Sequence, residues 1–224
     1  KTLLDLKLDL KSIGEKRSNL NAQEIGNDRE RAKQWKRFDR NPVFEEAELS
    51  RMVKEGVKAL TDQQISDGGW GWFSGTGERS YPHTTAVVVH GLQIAKANDV
   101  AIVPSTLERG VDWLRRYQAQ QLEWLKNFEQ KKEKVAKKQY ADALDAFVYM
   151  VLNDAGSDNV EMRDRIYRDR IQIPVYGKAM FGLALEKLGD REKLDMILQN
   201  IDQFVVQDTE NETAYLRLPE NNYW

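Results

Sequence analysis

Two histidines are the only ones in the 224-residue chain, and their spacing restricts the chemistry that they could perform. On a helix, His83 and His90 would share one face but lie about 10 Å apart along the axis, too far to bind one metal ion together. No cysteine is present to complete a ligand set. We therefore predict one packed and one near-surface histidine rather than a proton shuttle, with no metal site and no cofactor.

Two aspartates are a second candidate, because Asp142 and Asp145 could together chelate a magnesium–diphosphate group. Sites that transform prenyl substrates usually carry a denser cluster, and neither Asp-Asp-x-x-Asp nor Asp-x-Asp-Asp occurs in this sequence. We favour the interpretation that both carboxylates cap a helix or face solvent. The same holds for Glu45, Glu46 and Glu48, since negative charge is favourable at the start of a helix.

Several catalytic motifs are absent from the sequence, namely Gly-x-x-x-x-Gly-Lys, Gly-x-Ser-x-Gly and His-Glu-x-x-His. The lack of cysteine also excludes disulfides, thiol nucleophiles and iron–sulfur ligation. We therefore predict no catalytic residue, and that the chain is not an enzyme.

Two groups of basic residues could contact nucleic acid. They are Lys131, Lys132, Lys134, Lys137 and Lys138, and the arginines Arg163, Arg165, Arg168 and Arg170. The whole chain carries 34 basic and 36 acidic residues, and this net charge of -2 gives no general attraction for a polyanion. Because acidic residues are interleaved in both groups, we predict ordinary solvated helix surfaces and no nucleic-acid partner.

The most specific string in the sequence is Gln-Gln-Ile-Ser-Asp-Gly-Gly-Trp-Gly-Trp-Phe, over residues 63–73. Its two indoles, beside flexible glycines, could stack on sugar rings or on a cationic ligand. We favour a structural role, in which the string ties the end of a helix to a turn and inserts an indole between neighbouring hairpins. The residues of this turn motif are Gln64, Asp67, Gly68, Gly69, Trp70 and Trp72.

The elements that must position these residues are predicted to be helices, because helical periodicity dominates the chain. The predicted helices are Phe44–Gln64, Thr84–Ala97, Ser105–Gln121, Tyr140–Asn153, Val160–Arg170, Pro174–Leu188 and Arg191–Val206. A charged arm over Gln121–Lys138 is interpreted as continuing the third helix. No strand pairing is expected, since Val205-Val206 is an isolated pair. Residues 1–43 are predicted to be an N-terminal helix and a polar connector that packs on a helical domain over 44–224.

Internal repeats indicate how these helices are organised. At an offset of 54 residues, Gly56-Val57-x-x-Leu60-x-x-x-Gln64 matches Gly110-Val111-x-x-Leu114-x-x-x-Gln118. Small-residue helices recur between such amphipathic helices, and this alternation is what stacked hairpins require. We therefore predict an all-α fold of stacked helical hairpins, arranged either as an open solenoid or as a closed α/α toroid, complete or in part.

The composition excludes a membrane protein, because 31% of the residues are charged and no apolar stretch of spanning length occurs. We therefore predict no direct membrane insertion. The chain opens at Lys1 without an initiator methionine and closes on Tyr223-Trp224, so we expect it to be a piece of a larger polypeptide.

The segment Met52–Phe73, followed by His83–Tyr117, resembles the thioester-containing domain region of bacterial alpha-2-macroglobulin-like proteins. The residues that carry this resemblance are the Val53–Trp72 pattern, Thr84-Thr85-Ala86-x-Val88-Val89-x-Gly91-Leu92 and Gly110-Val111-x-Trp113-Leu114. The connector motifs Asn19–Gln23, Arg31–Trp35 and Asn41–Phe44 are also similar to that branch of the family.

The resemblance implies an α/α toroid within a large periplasmic or extracellular protease inhibitor. Its partners would be the other domains of the same parent chain and, through the parent, target proteases. The reactive centre of the family is a Cys–Gln thioester in a Cys-x-Glu-Gln motif, which nothing in this chain matches and which we expect upstream of Lys1. This chain would then shield or present the thioester and carry no catalytic residue.

Two alternatives stay open at this point. One is an α/α toroid enzyme that acts on a prenyl or polysaccharide substrate through Asp142 or Asp145 and a tryptophan-lined cavity. The other is a helical scaffold that binds a protein partner through the charged arm at 121–138.

Overall fold

The computed structural model describes residues 46–73, 77–131, 137–209 and 213–218. The predictions for residues 1–43, Glu45, Lys132 and Lys134 therefore lie outside the described residues. Two compact units make up the described chain. One contains residues 46–62 and 94–102, and the other contains residues 63–73, 77–93, 103–131, 137–209 and 213–218.

The described ranges contain seven α-helices and one pair of short strands, which confirms the all-α prediction. The helices are α1 (Glu46–Asp62), α2 (Pro82–Ala97), α3 (Pro104–Glu129), α4 (Ala143–Asp154), α5 (Val160–Asp169), α6 (Val175–Leu188) and α7 (Arg191–Asp202). Helix α3 runs on without a break beyond Gln121, as predicted, but it ends at Glu129, before the predicted end of the charged arm at Lys138. No helix within the described ranges has the length and apolar character needed to cross a bilayer.

The predicted end of the last helix, at Val206, was wrong. Helix α7 stops at Asp202, and Val205–Asp208 instead forms strand β1, which pairs antiparallel with strand β2, Thr213–Leu216. The prediction of no strand pairing was wrong for the same reason. A short strand is stabilised by a partner elsewhere in the sequence, and Val205-Val206 shows no local sign of pairing with Leu216 and Tyr215.

Side-chain caps fix where the helices begin. The carboxylate of Asp142 accepts hydrogen bonds from the backbone N–H groups of Leu144 and Asp145, and the Asp145 carboxylate accepts the N–H of Asp142 in return. Asn159 caps α5, and Asp190 caps α7. Each cap supplies an acceptor to an N–H group that has no partner within its helix.

Helix α4 lies at the centre of the larger unit and contacts α3, α5 and α6. It is buried at Ala143 and from Asp145 to Asn153. Helix α6 approaches it closely at Gly177, where an added Cβ would lie 3.0 Å from the Cβ of Ala143. The rings of Tyr149 on α4 and Phe181 on α6 meet edge to face, with centroids 5.8 Å apart. The core is therefore built around one helix that is buried on every side.

One lysine is buried in this core. Lys178 on α6 is only 4% exposed, its ammonium donates to the carbonyl oxygen of Ile173, and it lies 5.9 Å from the Phe204 ring centroid. Burial lowers the pKa of Lys178, because the charged form is the one that loses solvation.

This burial predicts a pH dependence of stability. The unfolded chain binds the Lys178 proton more tightly than the folded protein, so the contribution of this residue to stability should increase as the pH rises toward about 10. The Lys178→Met variant lacks this gain, whereas Lys187→Met, which alters a half-exposed lysine of the same helix, should keep it. Urea unfolding at several pH values measures the difference, and parallel curves for wild type and Lys178→Met would contradict it.

Candidate functional site

The best-defined arrangement of polar side chains surrounds residues 64–70, which we call the Gln–Trp turn. Its backbone is closed by two hydrogen bonds of 2.9 Å, from Gly68 N to Ile65 O and from Ile65 N to Gly69 O. Gly68 has φ +97°, and a Cβ there would lie 2.7 Å from the carbonyl oxygen of Arg109. Both the backbone conformation and the close approach of α3 therefore require glycine at this position.

Gln64 joins the turn to the start of α3 through its side-chain amide. The Nε2 group donates to the carbonyl oxygens of Gly68 and Thr106, each at 2.9 Å. The Arg109 guanidinium donates to the Oε1 atom of the same amide. One side chain thus satisfies backbone acceptors on two separate segments.

Asp67 makes a second set of links between the same segments. Its Oδ1 accepts from Gly69 N at 3.0 Å and from the Ser80 hydroxyl at 2.6 Å. Its Oδ2 accepts from the indole N–H of Trp113 at 2.9 Å, and Arg116 donates to its backbone carbonyl at 2.7 Å. Burial alone would raise the pKa of Asp67, but these hydrogen bonds and the charge of Arg116 outweigh it and hold the pKa below its usual value.

The hydrogen bonds of Asp67 predict an effect of removing its charge. We expect Asp67→Asn to lower the free energy of unfolding by about 1 kcal/mol at neutral pH, a value reduced for the partial exposure of the carboxylate. Because the pKa of Asp67 is lowered in the folded protein, the wild type should lose this advantage as the pH falls below about 4. Urea unfolding from neutral to acidic pH tests this, and a penalty that does not change with pH would contradict it.

Trp70 is the apolar part of the arrangement and is 2% exposed. The backbone N–H of Trp70 donates to the Thr85 hydroxyl at 3.0 Å, and the backbone carbonyl of Trp70 accepts from Tyr81 N at 2.9 Å. Its ring lies over Gly110 of α3, where an added Cβ would come within 2.8 Å of the ring and 2.7 Å of a Val89 methyl. The indole therefore sits in a space bounded by α2 and α3.

Trp72 is placed differently from Trp70, since it is 65% exposed. Its ring meets Tyr81 edge to face at 6.1 Å, and the Arg79 guanidinium lies 5.0 Å from the Tyr81 ring centroid. Of the two indoles in the motif, one belongs to the core and the other to the surface.

Sequence reasoning missed the partners that hold the Gln–Trp turn. They are Ser80, Thr85, Thr106, Arg109, Trp113 and Arg116. On α3, Arg109, Trp113 and Arg116 follow one another at intervals of four and three residues, which puts these three side chains on one helix face. The spacing of these polar and aromatic residues on α3 could have predicted that this helix face contacts the Gln–Trp turn.

The two histidines lie on either side of one phenylalanine. The rings of His83 and His90 have centroids 5.9 Å and 6.3 Å from that of Phe147. His83 is exposed and His90 is partly buried, with its Nδ1 3.9 Å from a carboxylate oxygen of Asp154. The described part of the chain contains no group of three or more side chains suited to hold a metal ion.

Asp142 and Asp145 lie together at the start of α4 and both cap it, which is one of the two roles, helix cap or solvent-facing residue, predicted for them. Asp145 does not face solvent, since its side chain is only 1% exposed. Sequence reasoning missed that Lys138 binds both carboxylates, at 2.8 Å and 2.6 Å. Burial, followed by the charge of Asp142, raises the pKa of Asp145 to about 6, although Lys138 opposes the shift.

Several basic residues of the described chain pair with carboxylates, and others lie over aromatic rings. Glu129 at the end of α3 accepts from Arg165 at 2.6 Å and from Arg168, and Lys126 pairs with Glu161 at 2.7 Å. Other basic residues of the predicted groups and of α1 make contacts as well: Arg163 with Asp158, Arg170 over the Tyr167 ring, Lys137 near the Trp124 ring and Arg51 with Glu48. The described part of the charged arm is thus fastened to α5.

Comparison with known proteins gives one partial likeness. A protein named alpha-2-macroglobulin from Thermotoga maritima is 35% identical over 69 residues, which is 31% of this chain. The chain spans only 4% of the length of that relative. No family model matches the chain, and no solved structure matches it. The likeness therefore supports a link to the alpha-2-macroglobulins over about a third of the chain.

Proposed function

We propose that this chain is a segment of a bacterial alpha-2-macroglobulin-like protease inhibitor and forms part of its thioester-containing domain. The observation that carries the proposal is the Gln–Trp turn, whose residues Gln64, Asp67 and Trp70 all bind partners on following segments. The 69-residue likeness to the alpha-2-macroglobulin of Thermotoga maritima supports the same assignment.

The chain's own part in this function is structural. A thioester is an activated acyl group, so it must be kept from water until a target nucleophile arrives. Helices packed around the buried helix α4, and a turn anchored at both ends, would provide a rigid body for that purpose. We propose that further hairpins of the parent complete an α/α toroid and that the Cys-x-Glu-Gln motif lies outside this chain.

The parent would act in the periplasm or outside the cell. Its partners would be its own neighbouring domains and the proteases that cleave it, with no nucleic acid and no membrane insertion by this segment. In this proposal no residue of the chain is catalytic, because the thioester itself forms the bond to the protease.

The experiment uses the full-length parent. It is incubated with serine proteases of different specificity, and the mixtures are separated under denaturing conditions and analysed by mass spectrometry. We expect a covalent adduct between parent and protease that appears only after the parent has been cleaved. Pre-treatment with methylamine, which opens a thioester by aminolysis, is the control and should abolish the adduct.

Two results separate the parts of the proposal. Loss of protease activity toward large substrates without a covalent adduct would support an inhibitor that lacks the thioester. Neither adduct nor inhibition with any protease that cleaves the parent would reject the inhibitor role.

A further inference from the structure

Strand β2 is the outer strand of the β-hairpin and is exposed along its whole length. All four of its residues are exposed, and Arg217 and Leu218 beyond it are exposed as well. The exposed fraction is 51% for Tyr215 and 45% for Leu216. Within the described ranges, β1 is the one strand that pairs with β2. A two-stranded hairpin is at best marginally stable in water, so β2 would gain stability from a further strand.

The pairing of the two strands determines which backbone groups of β2 point outward. The N–H of Arg217 donates to the Phe204 carbonyl at 2.8 Å, in the same register as the strands themselves. Because hydrogen-bonded and non-hydrogen-bonded pairs alternate along an antiparallel ladder, Tyr215 directs its backbone groups toward β1, whereas Ala214 and Leu216 direct theirs away. The outer edge of β2 therefore presents alternating N–H and C=O groups to which an added strand can bind.

Strand β2 also lacks the side chains that usually protect a free edge. Its four residues, Thr-Ala-Tyr-Leu, include neither a charged residue nor a proline. Its short length limits the stabilisation that backbone hydrogen bonds alone can supply. A partner strand must therefore contribute favourable side-chain contacts as well.

The side chains around Leu216 complement themselves in an antiparallel pair. When Leu216 lies opposite Leu216 of a second copy, Tyr215 of each copy lies opposite Arg217 of the other. These two side chains already contact each other within one chain, since the Arg217 guanidinium donates to the Tyr215 hydroxyl at 3.0 Å and lies 5.9 Å from the ring centroid. A guanidinium beside a tyrosine ring is attractive, and non-hydrogen-bonded pairs bring opposite side chains close together. A second copy therefore matches both the backbone groups and the side chains of this edge.

We propose that the outer edge of β2 is a self-association surface, at which the β2 strands of two copies pair antiparallel and form one four-stranded sheet. The two-fold axis passes between the two Leu216 residues, and Ala214 of each copy lies opposite Leu218 of the other. The same surface serves both copies, so the contact closes on itself as a dimer. Because strands this short bury much less area than a stable dimer interface, the affinity is low. This inference does not depend on the proposed function.

Sedimentation equilibrium of the 224-residue chain tests for this dimer. We expect an average mass about 1.5 times larger at about 1 mM than at about 0.01 mM, which corresponds to a Kd of roughly 1 mM. Hydrogen exchange locates the contact. At the higher concentration about half of the chains are paired, so the outward amide of Leu216 should exchange about twofold more slowly, while the inward amide of Tyr215 should not change.

Substitutions at the axis test the register. Leu216→Lys places two ammonium groups opposite each other and should abolish association, and Leu216→Glu should do the same with two carboxylates. An equimolar mixture of these variants should associate again, because lysine then lies opposite glutamate. Thr213→Lys adds the same charge to the same strand away from the axis. It is the matched control and should associate as the wild type does.

Three results would overturn the proposal. The first is a wild-type chain that keeps its monomer mass at every concentration. The second is association of Leu216→Lys as strong as that of Thr213→Lys, which would place the contact elsewhere. The third is a mixture of Leu216→Lys and Leu216→Glu that stays monomeric while the wild type associates, since the axis then does not lie at Leu216. If a variant does not fold, the wild-type mass and amide exchange decide alone.

Discussion

Replacing Trp70 by alanine is expected to lower the free energy of unfolding by about 3–5 kcal/mol, the range for truncating a fully buried aromatic side chain. The indole is 2% exposed and lies over Gly110, so alanine would leave a cavity bounded by Val89 and α3. The backbone contacts of residue 70 with Thr85 and Tyr81 do not depend on the side chain and should persist. The loss therefore measures the packing of the ring itself.

Trp72→Ala is the matched control, because it removes the same ring two residues away at a position that is 65% exposed. It should change the free energy of unfolding by no more than about 0.5 kcal/mol. Urea unfolding followed by circular dichroism compares the two variants. Equal losses would show that the ring of Trp70 is not the buried one.

Replacing Gly68 by alanine should have the second-largest effect, a loss of about 2–4 kcal/mol. About 1–2 kcal/mol comes from placing a side chain at φ +97°, and the rest from overpacking where the Cβ would lie 2.7 Å from the Arg109 carbonyl oxygen. That oxygen belongs to the backbone of α3, so it cannot move aside as a flexible side chain could.

Gly156→Ala separates these two causes. Gly156 also has a positive φ, +76°, but an added Cβ there meets nothing within 4 Å. Only the conformational part of the penalty, about 1–2 kcal/mol, should appear in this variant. If the two substitutions have the same cost in urea unfolding, the close approach of α3 to the Gln–Trp turn is not maintained in solution.

The sequence was sufficient for most of the helices because their signals are local. Apolar spacing marks the buried face of each helix, and Asp142, Asn159 and Asp190 mark where three of them begin. The strand at Val205 was missed because its stability depends on Leu216, and no pattern within the segment itself indicates such a partner. Local sequence patterns therefore predicted the helices, but they did not predict a strand whose formation depends on pairing with a segment further along the chain.

The candidate site divides in a similar way. Glycines beside an aspartate predicted the turn, but the two indoles look alike in sequence, and only packing makes Trp70 buried and Trp72 exposed. Asp142 was predicted to cap a helix or to face solvent, but the predicted helix began at Tyr140, whereas the helix that Asp142 caps begins at Ala143. The ion pair between Lys138 and Asp145 was not predicted, since the lysine lies in a run of charged residues that is typical of a solvated surface.

The central claim is that the Trp70 ring of the Gln–Trp turn packs against Gly110 of helix α3. Nuclear Overhauser effects between the ring protons of Trp70 and the α-protons of Gly110 test this directly in the 224-residue chain. The structure predicts strong cross-peaks, because an added Cβ on Gly110 would lie 2.8 Å from the ring. Absence of these cross-peaks, together with an indole that a soluble quencher reaches as readily as that of Trp72, would contradict it.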